Sequence, residues 1–321
     1  MTGQSCESRV TKSGNAIKEW CESKIGDQTG RIFVITGATN GIGFESADAL
    51  AEHGATVVLA SRSLERTKEC AEKLKSKNGN QNIIPVKLDL SSLKSVHECA
   101  EQLRSQFPKI DVLINNAGVM VPPYTITEDG FELQIGTNHL GHFAFTRLLL
   151  PNLMATPGSR VVTLSSTAHL RGKINFDDLH SKKRYIANLA YAQSKIANLL
   201  FAYELQRRLD KANSRTISVA AHPGWSRTGL QVHAVTKAWV RALFTMFEPI
   251  FSQDARAGAQ PMLMAATDKL VAGGEYYGPN GFGGSKGIAT RVDSNKLSHD
   301  SALQQKLWKV SEELTKVTYP V

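Results

Sequence analysis

Two residues near the middle of the chain, Tyr191 and Lys195, could carry out acid–base chemistry together. They stand four positions apart in a strongly helical stretch, so their side chains share one helix face. An unperturbed tyrosine, with a pKa of about 10, is a poor acid or base at neutral pH. A neighbouring ammonium group favours the phenolate and lowers that pKa. Because this spacing is common by chance on helices, other residues must decide whether the pair is a site.

Two further polar residues could complete such a site. Ser166 follows a predicted strand over residues 159–164, and its hydroxyl could hydrogen-bond a substrate oxygen and stabilise developing alkoxide charge. Its neighbour Ser165 is the alternative. Asn138 is an inward amide within a predicted helix over residues 127–154, where it needs a partner or a function. We expect it to hold a water that connects Lys195 to solvent.

These residues must be positioned by a larger framework, and residues 31–44 organise it. An apolar run at residues 32–35 predicts a buried parallel strand, and helical periodicity follows from Phe44. Between them lie Gly37, Gly41 and Gly43, in the spacing GxxxGxG. Such a turn gathers free backbone N–H groups and the positive end of the helix dipole, which favours a phosphate. We expect these glycines to allow the tight turn, the approach of a pyrophosphate and close helix–strand packing, in that order.

Residues after the next strands predict how a dinucleotide would be selected. The strand at residues 55–60 ends beside Arg62, where an acid would select NAD and an arginine accommodates a 2′-phosphate. NADP(H) is therefore favoured over NAD(H). Asp89, after the strand at residues 82–88, could bind an adenine amine or cap the following helix. The strand at residues 110–114 runs into Asn-Asn-Ala-Gly at residues 115–118, whose amides could fix neighbouring strands and whose small residues admit a flat ring.

Strands alternate with helices along the whole chain. This rhythm predicts an α/β fold: one Rossmann-type, doubly wound parallel sheet of about seven strands with helices on both faces. We assign residues 29–317 to this dinucleotide-binding and catalytic domain and residues 1–28 to a leader with a short amphipathic helix at residues 14–25. Ligands of such sheets bind at the carboxyl ends of the strands, where every unusual residue above falls.

Composition excludes several other classes. The net charge is +9, but the basic residues are scattered among acids without interleaved aromatics, which argues against nucleic-acid binding. No apolar run is long enough to span a bilayer, and the polar N-terminus argues against a secretory signal. The four cysteines lack metal spacing and are predicted to be reduced thiols, with no metal site. The expected location is cytoplasmic, with organelle targeting left open.

Together these motifs resemble the short-chain dehydrogenase/reductase superfamily over residues 29–317. The turn at residues 36–43, the Asn-Asn-Ala-Gly motif, the Tyr-Ala-Gln-Ser-Lys motif at residues 191–195 and Pro-Gly-Trp-Ser-Arg-Thr at residues 223–228 carry the likeness. Residues 137–143, residues 165–169 and the C-terminal region resemble its retinol-dehydrogenase-like branch. Many members of that branch have an N-terminal membrane anchor, which this sequence does not predict.

The resemblance implies the site residues. The catalytic set would be Asn138, Ser166, Tyr191 and Lys195, and the spacing of the branch favours Ser166 over Ser165. Thr228 would lie near the nicotinamide carboxamide. The predicted cofactor contacts are Gly37, Thr39, Asn40, Gly41, Ile42, Gly43, Arg62, Asp89, Leu90, Asn116, Ala117, Gly118, Tyr191, Lys195, Pro223, Gly224 and Thr228.

The predicted function is an NADP(H)-dependent oxidoreductase that interconverts a carbonyl and an alcohol on an apolar small molecule. Alternatives are a steroid, quinone or other lipid carbonyl reductase in place of a retinal reductase, or a non-catalytic NADP(H)-binding scaffold that reports redox state. Residues 222–256 are expected to form a substrate lid; within them, the apolar residues 232–251 could instead contact an oligomer partner or a membrane surface. The resemblance implies a homodimer or homotetramer.

Overall fold

The computed structural model describes residues 9–10, 16–17, 20–224 and 254–321. A short antiparallel hairpin, β1 (Arg9–Val10) and β2 (Ala16–Ile17), comes first. The strands of the main sheet are β3 (Ile32–Thr36), β4 (Thr56–Ser61), β5 (Ile83–Lys87), β6 (Val112–Asn115), β7 (Arg160–Leu164), β8 (Ile217–Ala221), β9 (Tyr276–Gly281) and β10 (Lys286–Arg291). Their spatial order is β10-β9-β8-β7-β6-β3-β4-β5, and every pairing is parallel except that of β9 with β10.

Helices cover both faces of this sheet. They are α1 (Gly41–Glu52), α2 (Leu64–Asn78), α3 (Leu93–Gln106), α4 (Leu133–Ile135), α5 (Gly141–Met154), α6 (Ala187–Lys211), α7 (Ala255–Thr267) and α8 (Ser301–Thr315). Side chains along β3 alternate between two buried clusters: Phe33 and Ile35 join α1, α2 and α7, whereas Val34 joins α3, α5, α6 and α8. A parallel sheet buried on both faces needs such continuously apolar strands. The predicted three-layer α/β fold is confirmed.

The strand order reverses at β3, which has β4 on one side and β6 on the other. Connections leave the carboxyl ends of these two halves in opposite directions, so a crevice opens between them. The turn from β3 into α1 and the loop after β6 both lie at this point. The fold therefore brings together the two segments that the sequence predicts to bind a dinucleotide.

Two local predictions were wrong. The helix predicted over residues 14–25 is not formed where the structure describes that segment, because residues 16–17 are strand β2 and Glu22–Lys24 is a 3-10 turn. The helix predicted from residue 127 begins at α4 and passes through a π-helical turn, Gly136–Leu140, before α5. The sheet also has an eighth strand, β10, beyond the seven or so predicted, and it pairs with β9 through a bulge.

The cysteine prediction holds in part. Cys70 and Cys99 are free thiols, whereas Cys21 is in a disulfide, so the prediction of a reduced thiol was wrong for Cys21. Within the described ranges, no helix is both long and apolar enough to cross a bilayer. The apolar residues 232–251 of the predicted substrate lid lie outside the described residues.

Candidate active site

An open cleft of 410 Å³ lies at the carboxyl ends of β3, β4, β6 and β7. It contains most of the predicted cofactor contacts: Gly37, Thr39, Asn40, Gly41, Ile42, Gly43, Arg62, Asp89, Leu90, Asn116, Ala117, Gly118, Tyr191, Lys195 and Pro223. Gly224 is described but does not line the cleft, and Thr228 lies outside the described residues. Residues from six segments thus converge on one crevice.

Two glycines of the turn, Gly37 and Gly43, leave no room for a Cβ atom. Gly37 has a φ of 69°, and a Cβ on it would lie 2.9 Å from the Cα of Ala117. A Cβ on Gly43 would lie 2.5 Å from both Asn116 Nδ2 and Gly37 O, so α1 packs directly on the turn. Asn40 precedes α1 without a side-chain cap, which leaves the first N–H groups of the helix to another acceptor. This cradle fits the pyrophosphate of a dinucleotide.

The far end of the cleft carries one positive and one negative side chain. Arg62 is exposed and has no hydrogen bond or ion pair to any residue that the structure describes. Asp89 accepts hydrogen bonds from the N–H of Ser91 at 2.9 Å and its hydroxyl at 2.6 Å, while Ser92 is the cap of α3. Asp89 therefore shapes the turn before the helix and lines the cleft. The alternative that it caps the following helix was wrong, because Ser92 is the cap; the contact with an adenine amine stays a prediction.

The floor of the cleft depends on amides after β6, as predicted. The side chain of Asn116 donates to the backbone oxygen of Thr36 at 2.7 Å, which ties β6 to β3. The Thr36 hydroxyl accepts from the N–H groups of Asn116 and Ala117, each at 2.9 Å. It lies 2.9 Å from Nε2 of His142. Since His142 Nδ1 must donate to the carbonyl of Asn138, at 3.0 Å, Nε2 accepts the Thr36 proton.

Sequence reasoning missed the contribution of Thr36 and His142. His142 is fully buried, and burial lowers its pKa to about 4, so it is neutral at physiological pH. The available signal was its position four residues after Asn138, which places both residues on one helix face. Their contact to Thr36 joins segments more than a hundred residues apart and could not be read from local spacing.

Asn138 lies in the π-helical turn and points inward, as predicted. Its Oδ1 accepts from the N–H of Val119 at 2.8 Å, and its Nδ2 donates to the carbonyl of Val119 at 3.0 Å and to Ser194 Oγ at 2.9 Å. Both amide protons are therefore used, and one lone pair of Oδ1 remains. A Cβ on Gly118 would lie 3.1 Å from that oxygen and 3.7 Å from Lys195 Nζ, so both atoms border Gly118.

The two serines after β7 differ in their contacts. Ser165 is buried and its hydroxyl donates to the carbonyl of Lys195 at 2.8 Å. Ser166 is half-buried, and its Oγ accepts from the N–H of Ala168 at 3.2 Å. A hydrogen bond from the Ser166 side chain also opposes the rise in the pKa of Tyr191, which places this hydroxyl beside the phenol.

Tyr191 and Lys195 lie on the cleft-facing side of α6. Lys195 Nζ is 5.6 Å from the centre of the Tyr191 ring and donates to the carbonyl of Leu164 at 3.3 Å. Burial raises the pKa of Tyr191 to about 12 and lowers that of Lys195 to about 8. Protein groups alone therefore hold the phenol protonated, and the lowering expected from the sequence would need the positive charge of an oxidised nicotinamide.

Comparisons with known proteins agree with this geometry. Residues 31–238 match the family model for short chain dehydrogenases. Retinol dehydrogenase 11 of Homo sapiens is 41% identical over 285 residues, covering 89% of this chain and 86% of that protein. Retinol dehydrogenase 13 of Homo sapiens is 36% identical over 326 residues, covering 100% of this chain and 90% of that protein.

Solved structures share the fold. An uncharacterized protein from Mycobacterium Paratuberculosis superposes with a TM-score of 0.79 at 40% identity, covering 94% of this chain and 100% of that chain. L-sorbose reductase from Gluconobacter frateurii, solved with NADPH and L-sorbose, superposes with a TM-score of 0.63 at 20% identity, covering 79% of this chain and 95% of that chain. At that lower identity the likeness concerns the fold alone.

Proposed function

This chain belongs to the short-chain dehydrogenase/reductase family, in its retinol-dehydrogenase-like branch, and on that premise we propose that it is an NADP(H)-dependent oxidoreductase interconverting a carbonyl and an alcohol on an apolar small molecule. Enzymes of this family use a nicotinamide cofactor. The observation that carries the proposal is the placement of Tyr191 and Lys195 in the same cleft as the glycine turn.

The preference for NADP(H) rests on Arg62. Its guanidinium is exposed at the end of the cleft that follows β4 and has no partner in the described part of the chain. A planar guanidinium binds a phosphate through two parallel hydrogen bonds. The position just after this strand is where an acid would instead bind the ribose 2′-hydroxyl of NAD(H). An unpaired arginine there supports a 2′-phosphate.

Tyr191 is proposed as the acid/base. In carbonyl reduction its hydroxyl gives a proton to the substrate oxygen, and in alcohol oxidation the phenolate takes that proton back. A bound nicotinamide would accept or supply the hydride. Ser166 is proposed to donate a hydrogen bond to the same substrate oxygen, because its hydroxyl lies beside the phenol and Ser165 is already bonded to Lys195.

Lys195 is proposed to hold the nicotinamide ribose and to stabilise the phenolate. Its pKa of about 8 leaves it mostly charged at neutral pH although it is buried. Asn138 is proposed to position the floor of the cleft through Val119. The free lone pair of Asn138 Oδ1 lies near Gly118 and Lys195 and could bind the water of the expected relay. Oδ1 is the only side-chain atom of Asn138 left for that water, because both amide protons are already used.

An apolar substrate is proposed from the wall beside the catalytic residues. Met120, Pro122 and Leu133 line the cleft there. The names of the two retinol dehydrogenases compared above make retinoids the first candidates, and steroid, quinone and other lipid carbonyls the next. Residues 222–256 are proposed to complete the pocket as a lid.

The test is a panel of apolar aldehydes, ketones and the matching alcohols, followed at the nicotinamide absorbance with NADPH and NADH. We expect turnover of at least one apolar carbonyl and a preference for NADPH. Tight binding of NADPH without turnover of any panel member would contradict the proposed enzymatic activity and favour a non-catalytic NADP(H)-binding scaffold. A preference for NADH over NADPH would contradict only the role proposed for Arg62 and leave the proposed reaction standing.

A further inference from the structure

One residue of the cleft wall has a strained backbone. Val121 has a φ of 55°, in the left-handed region that β-branched residues rarely adopt. It lies between Met120 and Pro122, which both line the cleft, whereas Val121 itself does not. We name residues 119–122 the wall segment. Such strain persists only where surrounding contacts enforce it, and it concentrates at functional sites.

The backbone N–H of this strained residue is bonded by the side chain of Gln134. Its Oε1 accepts a hydrogen bond from the N–H of Val121 at 2.9 Å. Its Nε2 donates to the Tyr185 hydroxyl at 3.0 Å and to the carbonyl of Ala187 at 2.9 Å. Tyr185 in turn donates to the carbonyl of Pro122 at 2.8 Å. Gln134 and Tyr185 therefore connect the wall segment to the start of α6, the helix that carries Tyr191.

Gln134 is itself held firmly. Its side chain is fully buried, and its backbone N–H donates to the carboxylate of Glu132 at 2.9 Å. Four residues later, Asn138 binds both backbone groups of Val119. Two amide side chains from one stretch thus fix two alternate residues of the wall segment. Asn138 faces Gly118 and Lys195, whereas Gln134 faces the apolar end of the wall.

We propose that Gln134, together with Tyr185, is a positioning residue that determines which apolar carbonyl substrates the cleft accepts. It does so by holding Val121 left-handed, so that Met120 and Pro122 present a fixed apolar surface beside Tyr191. The inference rests on the proposed function, because it assigns substrate selection within that site. It predicts no contact of Gln134 with the cofactor.

The substitution Gln134→Leu removes all three amide hydrogen bonds while keeping a similar volume. Without them Val121 relaxes towards the extended region, and the wall segment shifts. We expect kcat/KM for the preferred carbonyl to fall at least tenfold, mainly through KM, and the ratio between panel substrates to change. The Kd for NADPH should stay within twofold of the wild type. Tyr185→Phe, which removes one hydroxyl, should give a smaller change in the same direction.

Glycine at position 121 provides the decisive variant. Glycine adopts a φ of 55° without steric penalty, so Val121→Gly no longer needs an enforcing contact. The double variant Gln134→Leu/Val121→Gly should have a kcat/KM at least threefold higher than that of Gln134→Leu. Because glycine here also relieves the strain of Val121, the melting temperature of the double variant is measured as well. Recovery through the wall segment restores the substrate ratios, whereas a general gain in stability raises the melting temperature alone.

Gln206 provides the matched control. It is also a buried glutamine; its Oε1 accepts from the N–H of Ser218 at 2.7 Å and its Nε2 donates to Asp210 at 2.6 Å, and neither partner lines the cleft. Gln206→Leu should lower the melting temperature to a similar extent and leave the substrate ratios unchanged. Equal changes in substrate ratio for both variants would overturn the proposal, as would a double variant no better than Gln134→Leu.

Amide hydrogen exchange tests the same contact without activity. The N–H of Val121 should exchange at least tenfold faster in Gln134→Leu, and no faster in Gln206→Leu. If the wild type turns over no carbonyl, the proposed function fails, and unchanged exchange at Val121 would overturn the positioning role separately. Faster exchange would support that role whatever the reaction is.

Discussion

The hydroxyl of Ser165 donates a 2.8 Å hydrogen bond to the backbone carbonyl of Lys195, which joins the end of β7 to the middle of α6. This bond keeps the ammonium-bearing turn of α6 against the sheet. It also occupies the hydroxyl of Ser165, which lines the cleft, whereas Ser166 lies beside Tyr191 and is not a lining residue. Our proposal therefore gives Ser165 a structural role and Ser166 the contact with a substrate oxygen.

Substitution of each serine tests this division. Ser166→Ala should lower kcat about a hundredfold, because a donor to the developing alkoxide is lost. Ser165→Ala should instead lower the free energy of unfolding by about 1–2 kcal/mol, since a buried hydrogen bond is removed, with a smaller effect on kcat. Steady-state kinetics and urea unfolding of both variants decide the matter. A larger kinetic loss in Ser165→Ala would reverse the assignment.

Removal of the phenolic hydroxyl tests the acid/base. Tyr191→Phe should lower kcat by at least a thousandfold, within the range that general acid–base groups contribute, about 10²–10⁴. NADPH should still bind, because the glycine turn and Arg62 are untouched. Fluorescence titration with NADPH and turnover assays measure the two quantities. Turnover close to that of the wild type would exclude Tyr191 as the acid/base.

The pH dependence should differ between the two reaction directions. Carbonyl reduction needs the protonated phenol, and with a pKa of about 12 Tyr191 keeps its proton at any pH up to 9. The kcat for reduction should therefore be flat from pH 6 to 7 and fall towards pH 9 only as Lys195, whose pKa is about 8, loses its charge. Alcohol oxidation needs the phenolate, so its rate should rise with pH, up to tenfold per unit, below an apparent pKa that oxidised cofactor lowers. Rates in both directions across this range provide the measurement. A reduction rate that falls at low pH would show that another group titrates.

The preference for NADPH over NADH should depend on the guanidinium group of Arg62. Arg62→Gln should weaken NADPH binding about 10- to 100-fold, the value of one charge-assisted contact of about 1.5–3 kcal/mol, and leave NADH binding unchanged. Arg66→Gln is the control: Arg66 is exposed on α2, the helix that follows Arg62, and does not line the cleft. Calorimetric titration with both cofactors compares the variants. Equal losses for the two cofactors would mean that Arg62 does not recognise the 2′-phosphate.

The buried histidine behind the cleft floor should affect cofactor binding indirectly. His142→Phe removes the link between Thr36 and Asn138, so the loop after β6 loses one support, and we expect NADPH to bind about tenfold more weakly. His139→Phe is the matched control. His139 lies in the π-helical turn and is as buried as His142, but it bonds Ser311 of α8 at 2.9 Å and not Thr36. Both variants should be destabilised by about 1–3 kcal/mol. A loss of NADPH affinity in both variants would identify a general effect of destabilisation.

Much of the fold could be predicted because its signals are local. Each buried strand is a short apolar run, and each helix has its own periodicity, so the seven parallel strands and the three layers follow from neighbouring residues. Strand β10 was missed because its residues are mostly small or exposed, and its pairing with β9 is a matter of tertiary contact. The π-helical turn was missed because helical spacing does not distinguish it from α-helix.

The sequence by itself determined which groups meet at the cleft: the glycine turn, Arg62, and the pair Tyr191 and Lys195, since parallel strands deliver their carboxyl ends to one edge. Only the tertiary structure decided how those groups are held. The bonds from Thr36 to His142 and from Gln134 to Val121 join separate segments, and no local pattern specifies which buried polar groups will satisfy each other. Burial is likewise a property of the whole fold, and it sets the pKa of Tyr191 and Lys195 in directions opposite to those that their adjacency alone suggests.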